Sequence, residues 1–206
     1  IRRELIEILK SDLEHTPVVV LYGLRQVGKN TLVKEIAEQN PNQYLYLDLE
    51  APSDINKISD PELFFRHVSD KTVIIDEVQT LPDLFPVFRS LVDEDRRSGR
   101  FVLLGSASPE LLQKSSESLA GRATYRELFP FLLSEVSFEK QNTLWQRGGF
   151  PKFFLTKNNE IANKWLQDFI FSYASRDLRL LGLSLKEKEI TRLLQMLAHQ
   201  HGQLLN

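Results

Sequence analysis

Pro17-Val18-Val19-Val20-Leu21-Tyr22-Gly23-Leu24-Arg25-Gln26-Val27-Gly28-Lys29-Asn30-Thr31 passes from an unbroken apolar run, through a loop bounded by two glycines, into a helical pattern that continues over 32–39. A buried strand, a tight loop and a helix start, in this order, form a phosphate cradle. The glycines let backbone N–H groups turn toward an anion, the helix N-terminus adds its positive dipole, and Lys29 reaches the β- and γ-phosphates of a nucleotide. The phosphate-binding set is therefore Gly23, Arg25, Gln26, Val27, Gly28, Lys29, Asn30 and Thr31, with Thr31 at the helix start able to bond a phosphate oxygen. The pattern calls for Ser or Thr directly after the lysine, and this chain has Asn30.

A glycine-rich strand-to-helix turn with a surface lysine would look the same in isolation. What separates the two readings is a second motif, Lys71-Thr72-Val73-Ile74-Ile75-Asp76-Glu77, a short apolar strand that ends in adjacent carboxylates. By itself this reads as a buried strand running into a solvated acidic turn. Downstream of a phosphate loop it supplies one carboxylate for Mg²⁺ and one to polarise an attacking water. Asp76 is expected to support Mg²⁺ through its water shell, Asn30 to occupy the remaining metal position, and Glu77 to act as general base.

The 206 residues, 42% of them apolar, with nine glycines and nine prolines, suffice for one substantial core and part of a further domain. A net charge of −2, from 26 basic and 28 acidic residues, gives no global attraction to nucleic acid or anionic membrane, so any DNA contact has to be local. The absence of cysteine excludes disulfides and thiolate metal sites and accords with a reducing cytoplasm. No stretch approaches the ~20 apolar residues of a membrane helix, and no apolar signal core follows Ile1-Arg2-Arg3-Glu4. The expectation is a cytoplasmic protein with no membrane partner. With no initiator Met, the expectation is of a trimmed piece.

Periodicity predicts an amphipathic helix over 1–15, with Ile1, Leu5, Ile8, Leu9 and Leu13 on its apolar face. Strands follow at 17–22, 43–49, 71–76, 101–105 and 122–128. Between them lie a polar, proline-broken stretch over 50–60, a helix from Pro61 to Val68, and a helix over 81–97 that Ser98-Gly99 stops. Each strand is a continuous apolar run separated from the next by a helix, which is the pattern of a parallel sheet covered on both faces. Beyond Pro130 the pattern turns helical, over 131–138, 161–181 and 185–200, with a turn-forming break at Trp145-Gln146-Arg147-Gly148-Gly149-Phe150-Pro151.

Further groups are candidates for chemistry. Ser106 and Ser108 end the fourth strand, where a hydroxyl would sense the γ-phosphate. They read equally as a strand terminus and a helix cap before Pro109. Arg122, and after it Arg176, are the guanidinium candidates for the charge that develops on the γ-phosphate, against a structural reading as surface ion pairs. Arg96, Arg97 and Arg100 read as a solvated basic turn. His15, His67, His199 and His201 have no metal-ligand spacing and receive no role.

The loop, together with Tyr46-Leu47-Asp48-Leu49-Glu50, Ile74-Ile75-Asp76-Glu77-Val78-Gln79, Leu104-Gly105-Ser106-Ala107-Ser108, Leu119-Ala120-Gly121-Arg122 and Arg147-Gly148-Gly149-Phe150-Pro151, resembles a prokaryotic family of AAA-like P-loop ATPases that carry a C-terminal domain of unknown function. The resemblance covers nearly the whole chain. It implies an ATPase domain over 1–130 with the acidic strand not directly beside the loop strand, a helical lid over 131–183, and over 184–206 the first helix of a winged helix cut before any recognition helix. It further implies ATP or ADP as ligands, Mg²⁺ as cofactor, oligomerisation as an option, and a DNA or protein partner engaged through a nuclease-like C-terminal part that this chain lacks. Asn30 is the departure from the family pattern.

The expected function is an ATPase that uses ATP binding and slow, Asn30-impaired hydrolysis as a conformational switch. The rival is a nucleotide-gated interaction or DNA-associated module without significant hydrolysis. A small-molecule phosphotransferase is a third reading, disfavoured because no arginine-rich lid follows the sheet.

Overall fold

The computed structural model describes residues 1–178 and 187–200, with the side chains of residues 109, 110, 176 and 187 left undescribed. These residues fall into two compact units, Ile1–Pro151 and Lys152–Asn206.

The first unit is a five-stranded sheet of β1 (Val18–Gly23), β2 (Tyr44–Asp48), β3 (Thr72–Asp76), β4 (Phe101–Ser106) and β5 (Ala123–Glu127), in the order β2-β3-β4-β1-β5. Every pairing is parallel. As expected, β4 separates the loop strand β1 from the acidic strand β3. Alternate residues of each strand face opposite layers. Val18, Val20, Val73, Ile75, Phe101 and Leu103 belong to one apolar cluster, and Val19, Leu21, Ile74, Val102 and Leu104 to the other. Both faces are therefore covered, which is why the strands read as unbroken apolar runs.

On the first face lie α4 (Pro61–His67), α5 (Leu84–Glu94) and α6 (Pro109–Ser118), together with Ile58, which directly follows α3 (Pro52–Lys57). Helix α5 buries Leu84, Phe85, Phe88, Leu91 and Val92, recurring at three and four, and Phe88 meets Phe65 and Phe101 with ring centroids 5.6 and 4.9 Å away. Helices α1 (Leu5–His15) and α2 (Lys29–Ala37) cover the other face through Ile6, Leu9, Leu32, Val33 and Ile36.

Several local expectations are corrected. In α1 the buried positions are Ile6 and Leu9, preceded by a buried Arg3, whereas Ile1 and Ile8 are each 46% exposed. Within the stretch 50–60, Pro52 starts α3 rather than breaking the chain, because proline fits the first helical position, where its missing N–H is not needed. Helix α5 ends at Glu94, and the expected solvated turn contains a buried Arg100 whose Nη1 donates to the Leu91 and Asp95 carbonyls at 2.5 and 3.0 Å, satisfying the helix C-terminus. Residues 131–137 are turns rather than helix. Their backbone bonds go elsewhere: Phe131 N–H to the Gly149 carbonyl at 2.7 Å, and Leu132 N–H to the Glu135 carboxylate at 3.0 Å. Trp145, Gln146 and Arg147 lie in α7 (Gln141–Arg147), and α8 (Pro151–Leu155) begins at Pro151, so the break narrows to Gly148–Phe150.

The second unit is helical. Helix α9 (Asn159–Ser172) runs on into a π-turn at Tyr173–Asp177, and α10 spans Glu187–His199. Trp165 stacks between Phe153 and Phe169, at 6.0 and 5.1 Å, and Phe169 on Tyr173 at 5.8 Å. Of the expected winged-helix start, residues 184–186 and 201–206 lie outside the described residues.

Candidate functional site

The loop between β1 and α2 is shaped by backbone rather than by side chains. At Gly23 a Cβ would stand 2.4 Å from the Leu128 carbonyl oxygen, so only glycine lets β1 close on the strand exit that follows β5. Gly28, at φ 99° and ψ 23°, is the N-cap of α2 and offers no side-chain cap to the first helical turn. Gln26 also has positive φ, at 65°. Between them Val27 is fully buried in the core. Lys29 is 6% exposed, and its ammonium donates to the carbonyls of Gly23 at 3.0 Å and Leu24 at 3.1 Å. The cation thus lies across the loop that it closes, beside a helix N-terminus, where an anion is favoured. Asn30 and Thr31 follow on the first turn and are exposed.

Across β4, strand β3 delivers Asp76 to the same end of the sheet, 3% exposed. Its Oδ2 accepts from the Asn30 amide Nδ2 and from the Tyr46 hydroxyl, and its Oδ1 from the Glu77 N–H at 3.0 Å. Burial, helped by Asp48 opposite it in the β2–β3 register, raises the Asp76 carboxyl above its ordinary value against the pull of the Tyr46 and Glu77 hydrogen bonds and of Lys29. Burial and the bond to Asp76 likewise raise Tyr46, whose ring also carries the Lys34 ammonium 4.7 Å from its centroid. Glu77 sits in the left-handed region, at φ 53° and ψ 44°, an unusual place for a non-glycine residue and one that turns the chain out of the sheet. Its Oε2 accepts from the Gln79 amide, and burial raises its carboxyl despite that bond. A carboxyl raised toward neutrality is suited to take a proton from water.

The sequence-derived residues Gly23, Gly28, Lys29, Asn30, Asp76 and Glu77 are therefore brought together. The donor set does not fit a Mg²⁺ held as a Ser or Thr would hold it. A hydroxyl can face the aspartate and lend its lone pair to a metal through one atom, whereas Asn30 presents to Asp76 an amide nitrogen with no lone pair to give. Both Asp76 oxygens already accept hydrogen bonds.

Ser106 ends β4 directly opposite Gly23, and the Ala107 N–H donates to the Gly23 carbonyl at 3.2 Å, so this strand end borders the loop. Ser108 caps α6, its hydroxyl accepting from the Leu111 N–H at 3.2 Å. Arg122 is placed elsewhere. It precedes β5 at the N-terminal edge of the sheet, where Val18 N–H donates to its carbonyl, and it forms a two-pronged pair with Asp93, both contacts 2.7 Å, while Nη1 donates to Ala120. Parallel strands put that edge and the phosphate loop at opposite ends, roughly 15–20 Å apart for strands of this length, so within one chain Arg122 is not beside Lys29. The Arg176 side chain lies outside the described residues.

Sequence patterning missed Tyr46 as a partner of Asp76, Gln79 as a partner of Glu77, and the pair Arg3 and Glu135 behind the loop. For Arg3 there was one usable signal: it lies three positions before Ile6 on the face that α1 buries.

Residues 15–137 match the family model described as AAA domain, and residues 138–206 match a domain of unknown function (DUF8612). Two curated relatives, uncharacterized proteins of Mycobacterium bovis and Mycobacterium tuberculosis, are each 40% identical over 203 residues, 98% of this chain and 45% of their own length. The chain thus spans about half the length of the curated relatives it matches. Among solved structures, the Walker-type ATPase PABY2304 of Pyrococcus abyssi is similar with a TM-score of 0.57 at 18% identity, over 96% of this chain and 89% of that one. The fold is that of a P-loop ATPase.

Proposed function

The chain belongs to the AAA domain family, and from that premise we propose that it binds ATP and ADP at the β1–α2 loop and hydrolyses ATP slowly, using the nucleotide as a conformational switch for its helical part. The observation that carries this reading is the buried Lys29 ammonium spanning the Gly23 and Leu24 carbonyls at a glycine-bounded helix start. In hydrolysis Glu77 accepts a proton from the water that attacks the γ-phosphorus, the bond from that phosphorus to the bridging oxygen breaks, and ADP and phosphate leave. In the same proposal Ser106 senses the γ-phosphate, which its position opposite Gly23 supports, and Thr31 bonds a phosphate oxygen. The division into an ATPase domain over 1–130, a lid over 131–183 and a winged-helix start over 184–206 belongs to the same proposal. So do a cytoplasmic location, oligomerisation, and a DNA or protein partner for the longer protein. Among the described residues no helix is long and apolar enough to cross a membrane.

A second reading, a nucleotide-gated interaction module that barely hydrolyses, is favoured by the Asn30 amide turned onto Asp76. ATP and ADP affinities, each with and without Mg²⁺, for the wild type and Lys29→Ala, together with phosphate release with and without a small-molecule acceptor, test both. Binding that Lys29→Ala loses, with slow release independent of acceptor, is the expected result. Binding without release selects the interaction module, and unchanged ATP affinity in a folded Lys29→Ala protein refutes the site.

A further inference from the structure

Behind the phosphate loop lies an ion pair that nucleotide chemistry does not use. The Arg3 side chain is 9% exposed and that of Glu135 2%, and they meet through Nε and Oε1 at 2.9 Å. The rest of the guanidinium is also committed. Nη1 donates to the Val27 carbonyl at 3.2 Å, Nη2 to the Phe129 carbonyl, and the group lies 5.0 Å from the centroid of the Phe131 ring. Glu135 in turn accepts the N–H groups of Glu4 and Leu132, each at 3.0 Å. A buried ion pair gains little net stability over apolar groups of the same shape. Its geometry points to what it positions.

We propose that Arg3, oriented by Glu135, is a positioning residue that fixes the phosphate loop in its anion-accepting form by holding the Val27 carbonyl from behind. In a trans peptide the carbonyl oxygen and the following N–H point to opposite sides. With the Val27 oxygen on Arg3, the Gly28 N–H of the same peptide therefore points away from Arg3, toward the side on which a phosphate would sit. Val27 lies between Gln26 at φ 65° and Gly28 at φ 99°. Glycine accepts either sign of φ at little cost, so the Val27–Gly28 peptide is the one in this loop that could flip most readily. A flip would turn a carbonyl oxygen, rather than an N–H, toward the anion. The Val27 side chain is locked in the core, and Arg3 locks the carbonyl. The role rests on the nucleotide-binding reading above.

Two variants separate positioning from mere stability. Arg3→Lys keeps the charge opposite Glu135, but a single ammonium cannot serve three acceptors that the guanidinium meets with three different nitrogens. Glu135→Gln keeps an acceptor for Arg3 but loses the charge and sets an NH₂ against the Glu4 or Leu132 N–H. The expected result is that Arg3→Lys weakens ATP binding about tenfold, the worth of one charge-assisted hydrogen bond, and speeds amide exchange over residues 26–29 while leaving α5 unchanged. Glu135→Gln is expected to be the less stable protein yet the better ATP binder. Unchanged loop exchange in Arg3→Lys overturns the proposal whatever the ATP affinity. So does unchanged ATP affinity with faster exchange, or one common ranking of the two variants in stability and affinity. A wild type that binds no ATP refutes the nucleotide reading, while faster loop exchange in Arg3→Lys still upholds the clamp.

Discussion

The Asn30 amide donates to Asp76 Oδ2, the same oxygen that receives the Tyr46 hydroxyl. Two residues 46 positions apart, the first on the opening turn of the helix that follows the loop and the second at the end of the acidic strand, are thereby tied across β4. The contact satisfies a buried carboxylate. It also spends, on protein, the group that a nucleotide-bound cation would ask for.

Asn30→Thr is therefore expected to raise ATP affinity in the presence of Mg²⁺ and to raise hydrolysis, with affinity in its absence little changed. Mg²⁺ demands octahedral oxygen ligands at about 2.0–2.1 Å and tolerates misplaced ones poorly. Isothermal titration with and without Mg²⁺, beside a phosphate-release assay, checks this. Equal turnover in both proteins would show the substitution to be harmless.

Glu77→Gln is expected to keep ATP binding and to lower any measurable hydrolysis about 10²–10⁴-fold, the usual worth of a general base. Turnover that survives unaltered would move the role to Asp76.

The same variant has a pH signature in stability. Burial raises the Glu77 carboxyl above its ordinary 4.5, so the folded state holds its proton more tightly than the unfolded state does. Stability from this group is present below the ordinary value and is lost as pH rises through the raised one. Thermal unfolding of the ligand-free protein should show Glu77→Gln gaining stability over the wild type near neutral pH, and that gain shrinking as pH falls through the raised value toward 4.5 and levelling off below it.

Arg122→Ala is expected to leave the ATP affinity of the isolated chain unchanged and to lower thermal stability slightly, because the guanidinium serves Asp93 and Ala120 at the far edge of the sheet. A drop in affinity measured at concentrations where the protein is monomeric would contradict that placement.

Phe88→Ala removes a fully buried ring that packs on Phe65, Phe85 and Phe101. It should cost about 3–5 kcal/mol in urea unfolding. A loss under 1 kcal/mol would mean that the aromatic layer re-closes around the gap.

Much of the site was legible because its parts are local. The apolar run 17–22, the two glycines and Lys29 lie in thirteen consecutive residues, so their placement around one loop follows from spacing alone. Asp76 and Glu77 are likewise marked by the strand they end. The helix over 131–138 was misread for a physical reason: its residues have helical spacing, but Phe131 bonds Gly149 and Glu135 faces Arg3, partners that periodicity cannot contain.

By itself the sequence determined a parallel sheet covered on both faces, with a phosphate loop after its first strand, because burial on two sides writes itself as unbroken apolar runs and a tight loop writes itself as glycine. Only the tertiary structure decided where the remaining polar groups point. The direction shared by parallel strands carries Arg122 away from the loop. The packing of residues 129–135 against the start of α1 brings Glu135 to Arg3, 132 positions distant. Which end of the Asn30 amide faces Asp76 depends on a carboxylate from another strand that must find donors once it is buried, a demand set by three-dimensional enclosure and not by neighbours in the chain.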